Sequence, residues 1–173
     1  MRALVLVALS SLALAACSSS SASTSGSAAE SGKGAPGADS PAKSAAKVIN
    51  LPALGLKGTA AGETEEPIIG SGDPILIAAA QFTVNVSAAK ATDPKTAKDA
   101  LEVAKGFNGT DVKSETLPDG WIVTFKNTGS LGDNYWVSIR REIGGKGYMC
   151  ETTQTTPAQQ KASIDFCKSL TKG

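Results

Sequence analysis

The 173 residues include no histidine, so nucleophilic hydrolysis that relies on an imidazole base is closed unless a lysine takes that part. Ser169-Leu170-Thr171-Lys172 does match S-x-x-K, but none of the companion motifs of a serine–lysine enzyme accompanies it, and it reads as a chance match. A glycosidase needs two placed carboxylates. Asp119, Asp133 and Glu142 lie near loops or strand ends, no spacing pairs them, and they read as turn-forming, solvated residues. Gly144-Gly145-Lys146-Gly147 lacks the spacing of a phosphate-binding loop and leads into a strand, so it reads as a hairpin turn. Glu63, Glu65, Glu66 and Asp73 lack the alternating ligand pattern of a calcium loop. These observations point away from catalysis and from any resident metal or cofactor.

Three cysteines carry more information. Cys150 and Cys167 fall in the C-terminal part, with no histidine or third nearby cysteine to complete a zinc site. In an oxidising compartment such a pair is normally a disulfide. Cys17 stands apart, at the end of an apolar run, MRALVLVALSSLALAA, whose one charge is Arg2. The run is shorter than the roughly 20 residues that span a bilayer. Its basic start and small-residue end are those of a secretory signal. Leu14-Ala15-Ala16-Cys17 resembles the lipobox of bacterial lipoproteins. That resemblance implies cleavage before Cys17 and acylation of its sulfur and amino group. Ser18 in the next position implies sorting to an outer membrane in a cell that has one.

Residues 18–46 contain no aromatic residue and no Val, Ile, Leu or Met. Such a segment cannot bury enough apolar surface to offset its ordering entropy, and it is expected to be a flexible tether. Its 29 residues would give an r.m.s. reach of about 30 Å. The expected organisation is therefore a signal peptide over 1–16, a lipidated cysteine and tether over 17–46, and one domain over 47–173. Charges nearly balance, with 17 basic and 16 acidic residues, so no basic stripe suggests nucleic acid as a partner.

Within the domain, Val48-Ile49-Asn50-Leu51 predicts a short strand, followed by a glycine-rich acidic loop from Gly55 to Asp73 with one weak strand near Ile68-Ile69. Ile75 to Val86 predicts one long strand, its second half alternating Phe82, Val84 and Val86 against Gln81, Thr83 and Asn85. Asp93-Pro94 predicts a helix start with Asp93 as N-cap, and Ala97, Ala100, Leu101, Ala104 and Phe107 form its apolar stripe. Further strands are expected over Asp111 to Leu117, Trp121 to Asn127, Tyr135 to Ile143 and Tyr148 to Thr153. A last helix follows the box Thr156-Pro157-Ala158-Gln159, with Ile164, Cys167 and Leu170 as its stripe. Cys150 and Cys167 would then face one interlayer space.

This pattern defines an α+β class, an antiparallel sheet packed with two helices. The element order, with the strand start at Gly120-Trp121, resembles the α/β/α sandwich of PsbP and the Mog proteins. A cystatin-like sandwich would share much of the order. The PsbP/Mog resemblance implies a binding domain without catalysis. Strand alternation puts Trp136 on one face with Ser138 and Arg140 and opposite Tyr135, so Trp136 is either a core residue or part of an exposed aromatic site beside Arg140 or Arg141. The expected function is that of a lipid-anchored envelope protein engaging a protein partner. The alternative is a small-ligand or glycan binder built around Trp136.

Overall fold

The structure is a computed structural model that describes residues 46–173 apart from 64 and 131. The expected lipobox, lipidated Cys17, signal peptide and nearly all of the tether lie outside the described residues.

The described residues open with a hairpin of β1 (Lys47–Leu51) and β2 (Leu56–Ala60), closed through Gly55 at φ 64°. A third short strand, β10 (Thr171–Lys172), adds to the other edge of β2. β2 lies inside the stretch expected to be loop. Its inward positions are Leu56, Gly58 and Ala60, and the last two are too small to show a strand's apolar alternation. The space they leave is taken by Phe166: a Cβ on Gly58 would meet its ring at 2.7 Å.

The main sheet has seven strands in the order β3-β4-β5-β9-β8-β7-β6, every pair antiparallel. These are β3 (Ile68–Ile69), β4 (Ile75–Ala78), β5 (Thr83–Ala88), β6 (Thr110–Leu117), β7 (Gly120–Gly129), β8 (Gly132–Ile143) and β9 (Lys146–Gln154). Ile75 to Val86 is thus not one strand but a hairpin. The chain reverses after Ala78, where the buried Glu63 carboxylate accepts hydrogen bonds from the Ala80 and Gln81 amides at 2.9 and 3.0 Å. That long-range anchor has no local signature. The alternation itself holds, with Phe82, Val84 and Val86 all buried. Gly144 and Gly145, at φ 60° and 77°, form the two-residue turn between β8 and β9, and Lys146 and Gly147 already belong to the ladder.

The two helices cover opposite faces of this sheet. Helix α2 (Pro157–Ser169) has Thr156 as N-cap and Pro157 in its first turn, as the sequence predicts. The Gln159 carboxamide bonds the Thr155 and Thr156 hydroxyls, so the box is only half formed. Its buried stripe runs through Ser163, Phe166, Cys167 and Leu170, with Ile164 at the margin. With the small sheet, α2 seals a core of Ile49, Leu51, Ile77, Val84, Val86, Ile139 and Cys150. The Cys150–Cys167 disulfide crosses this layer, with Cα atoms 6.3 Å apart.

Helix α1 (Ala97–Gly106) lies on the other face. Its N-cap is Thr96, not Asp93: Thr96 and Asp99 form a reciprocal capping box, each side chain bonding the other's backbone amide at 3.2 Å. Asp93 instead accepts from the Lys90 amide at 2.6 Å and shapes the preceding turn. Two competing caps stand three residues apart in the sequence, and the pair able to satisfy two orphan amides starts the helix.

Candidate functional site

The face beneath α1 has the room for a site. A helix of 10 residues cannot roof seven strands. Its small inward residues, Ala100 and Ala104, seat it closely over Trp121 and Val123, towards the β6–β7 side. Around Asn85, Glu151 and Ser138, on β5, β9 and β8, the same face is left open. Between it and α1 lies an open cleft of about 550 Å³.

Register defines its floor. Asn85 pairs with Glu151, Glu151 with Ser138, and Ser138 with Val123, giving one row across β5, β9, β8 and β7. On the same face the adjacent row brings Thr153, Trp136 and Phe125 side by side. Phe107, the C-cap of α1, completes an aromatic wall. Its ring centroid stands 5.0 Å from that of Trp136, and those of Trp136 and Phe125 are 5.3 Å apart. Val103 of α1, one turn before Phe107, continues the lining on the helix side.

Asn127 holds the wall in place. Its Oδ1 accepts a hydrogen bond from Trp136 Nε1 at 3.0 Å, while its Nδ2 donates to the Phe107 carbonyl at 3.4 Å. One side chain thus ties the indole to the end of α1. Across the sheet, Gln160 of α2 donates to the Trp136 carbonyl at 3.0 Å. Trp136 is half-buried and Phe107 is 47% exposed, so an apolar surface with fixed orientation faces the cleft.

Glu151 is the ionisable residue among those lining the cleft. The residue is exposed at the cleft mouth, with its carboxyl only partly buried. Burial pushes its pKa above the usual glutamate value; a hydrogen bond from the Ser138 hydroxyl at 3.3 Å works against that, and the negative charge of Asp93 adds to it. Such a surface can bind by apolar contact, ring stacking and a few hydrogen bonds. The hydroxyls on this face are those of Ser138, Thr83 and Thr153, and that of Ser138 is bonded to the Glu151 carboxylate.

The residues singled out in the sequence separate. Trp136 lines the cleft. Arg140 shares its face but bonds Glu142 at 2.7 Å and is not among the lining residues. Arg141 points to the opposite face, where it binds Asp119 and the end of α2. Ser169 of the S-x-x-K match gives its hydroxyl to backbone groups of Phe166 and Thr59. Among the described residues no group of three metal-ligating side chains comes together, and no helix is long and apolar enough to cross a membrane. Glu151 went unnoticed in the sequence, although a signal was present. If Cys150 faces the disulfide layer, its neighbour must face the Trp136 side.

No protein-family model matches the chain, and no curated protein matches it.

Proposed function

We propose that the chain is a lipid-anchored envelope protein whose α+β domain is a non-catalytic binding module for a small organic ligand, held in the α1-side cleft. The observation that carries this reading is the cleft itself: about 550 Å³, walled by Phe107, Phe125 and Trp136, with polar groups confined to its floor. Small-molecule sites have this size and make-up, apolar walls with a few placed polar groups. The lipobox at Leu14-Ala15-Ala16-Cys17 supports the anchor, and the two helices on opposite sheet faces support the resemblance to the PsbP/Mog sandwich.

The test is a fragment screen by tryptophan fluorescence on the full chain and on Val103→Arg. Val103 is 49% exposed at the cleft lip, so an arginine there fills the opening without disturbing the core. Fragments that bind the parent and are lost in the variant support the reading. Binding that Val103→Arg leaves unchanged contradicts it.

A protein partner is the second reading. Ile68 at 72%, Ile69 at 44% and Leu76 at 42% exposure form an apolar corner on the β3 edge of the sheet. Exposed apolar edge strands are surfaces that other chains pair with. Crosslinking in intact cells with Ile68→Asp as control tests it: a captured partner that the substitution abolishes supports this reading, and no partner above background opposes it.

A further inference from the structure

The cleft's charge is one-sided. Of its described lining residues, Glu151 is the one that ionises, and no lysine or arginine is among them. Among the described ion pairs none includes Glu151. Its hydrogen-bond partner is the neutral Ser138 hydroxyl. The other charge that acts on it, Asp93 in the turn before α1, has the same sign. Elsewhere the carboxylates at the sheet's ends are matched: Asp119 by Arg141, Asp133 by Lys126, Glu142 by Arg140. Glu151, like Asp111 on β6, has no described ion pair, and of the two it is Glu151 that lies on the cleft floor.

The register sets how far it stands from the aromatic wall. Trp136 is opposite Thr153 and Ser138 is opposite Glu151, so Trp136 and Glu151 are diagonal neighbours on adjacent strands. Diagonal positions are about 7–8 Å apart, within reach of long side chains. An ammonium head between them can touch the carboxylate on one side and an indole face on the other. Tryptophan is the best of the aromatic side chains at attracting a cation. A bare metal ion finds too few oxygens here, since calcium takes six to eight. An anionic ligand would meet like charge.

From this juxtaposition of an aromatic wall and an unpaired carboxylate, we infer that the cleft selects organic ammonium ions bearing an aromatic or short aliphatic body. The inference rests on the cleft being a ligand site, and adds to it the class of ligand. The ammonium donates to a Glu151 carboxylate oxygen, and the apolar body lies against Val103, Phe107 and Trp136. Asn85, opposite Glu151 on β5, and Thr153, two residues beyond Glu151 on β9, offer neutral partners for further polar groups on the ligand.

The experiment is calorimetric titration of the full chain with 2-phenylethylammonium, its neutral counterpart 2-phenylethanol, and 3-phenylpropanoate. The ammonium ion is expected to bind about tenfold more tightly than the alcohol, the difference a charge-assisted hydrogen bond supplies. The carboxylate should bind least. Glu151→Gln should erase the preference for the ammonium while leaving the alcohol unchanged, and Val103→Arg should abolish binding of all three. Equal binding of ammonium and alcohol to the parent overturns the inference while leaving the cleft as a ligand site. That comparison needs no variant, so it stands whether or not a substitution folds. A preference that survives Glu151→Gln also overturns it. An ammonium ion that still binds Val103→Arg is seated elsewhere, and the inference falls with it. Absence of binding by any of the three overturns both the inference and the reading beneath it.

Discussion

Arg141 and Asp119 are locked together across the end of the sheet. Arg141 Nε donates to both Asp119 carboxylate oxygens, at 2.9 and 2.8 Å, and its Nη2 lies 2.7 Å from Oδ2. The same guanidinium donates through Nη1 to the Cys167 and Lys168 carbonyls at 2.9 and 2.7 Å. Those carbonyls end α2, where a helix leaves acceptors without intrahelical partners and carries partial negative charge. One planar cation therefore joins the β6–β7 turn, β8 and the C-terminus of α2.

Truncating that cation should cost stability without touching the cleft. Arg141→Ala removes charged hydrogen bonds that are mostly shielded from water, and is expected to lower unfolding free energy by about 2–3 kcal/mol. Arg141→Lys should recover less than half, because an ammonium cannot fork to a carboxylate and two carbonyls at once. Urea unfolding of both variants, with ligand titration alongside, checks the claim. Loss of binding at unchanged stability would contradict it.

The disulfide lies beside that clamp and should act on the same helix. Cys150 and Cys167 are 17 residues apart, which gives about 3 kcal/mol by the chain-entropy account. Replacing both by serine should lower stability by that order and loosen α2 first. Hydrogen exchange on α2 amides, compared with those of α1, is the appropriate measurement. Equal loss of protection in both helices would argue that the bridge does not act locally.

Much of this arrangement is legible in the sequence, and the parts that are not share a cause. The alternation at Phe82-Val84-Val86, Trp121-Val123-Phe125 and Tyr135-Val137-Ile139 holds because each strand faces two different layers. Cys150 and Cys167 meet because one sits on an inward strand position and the other on a helix stripe. By contrast, β2 hides behind Gly58, whose missing side chain is the space Phe166 fills. The turn that breaks Ile75–Val86 depends on Glu63, which is 17 and 18 residues from the amides it caps. The cleft is hidden for the same reason. It exists because α1 is short and displaced to one side, and periodicity reports a helix's apolar face without reporting which strands it covers. Trp136 could be placed on the right face with Ser138, but its wall partner Phe107 comes from a helix end, and Arg141 from the opposite layer.

Stability should also respond to pH through Glu151. The fold raises its pKa, so the folded state holds the proton more firmly than the unfolded chain does. Stability attributable to this group is therefore greatest below the unfolded value and falls as pH rises through the folded one. Glu151→Gln cannot ionise, so it should gain stability relative to the parent between about pH 4 and pH 7 and match it below that range. Thermal melts of both proteins across that window decide the matter. A variant that loses ground as pH rises would reverse the sign and contradict the environment described for Glu151.

The central claim, that ligands enter the α1-side cleft, has a convenient internal comparison in the chain's two tryptophans. Trp136 lines the cleft with Nε1 bonded to Asn127, whereas Trp121 is buried under α1 and its Nε1 has no described partner. The decisive measurement is a two-dimensional nitrogen–proton spectrum of the labelled protein, recorded while 2-phenylethylammonium is added. The account predicts that the Trp136 indole signal moves, together with the Ser138 and Glu151 amides, while the Trp121 indole stays in place. Movement confined to the β3 edge around Ile68 and Ile69, or no movement of Trp136 at saturating ligand, would contradict it.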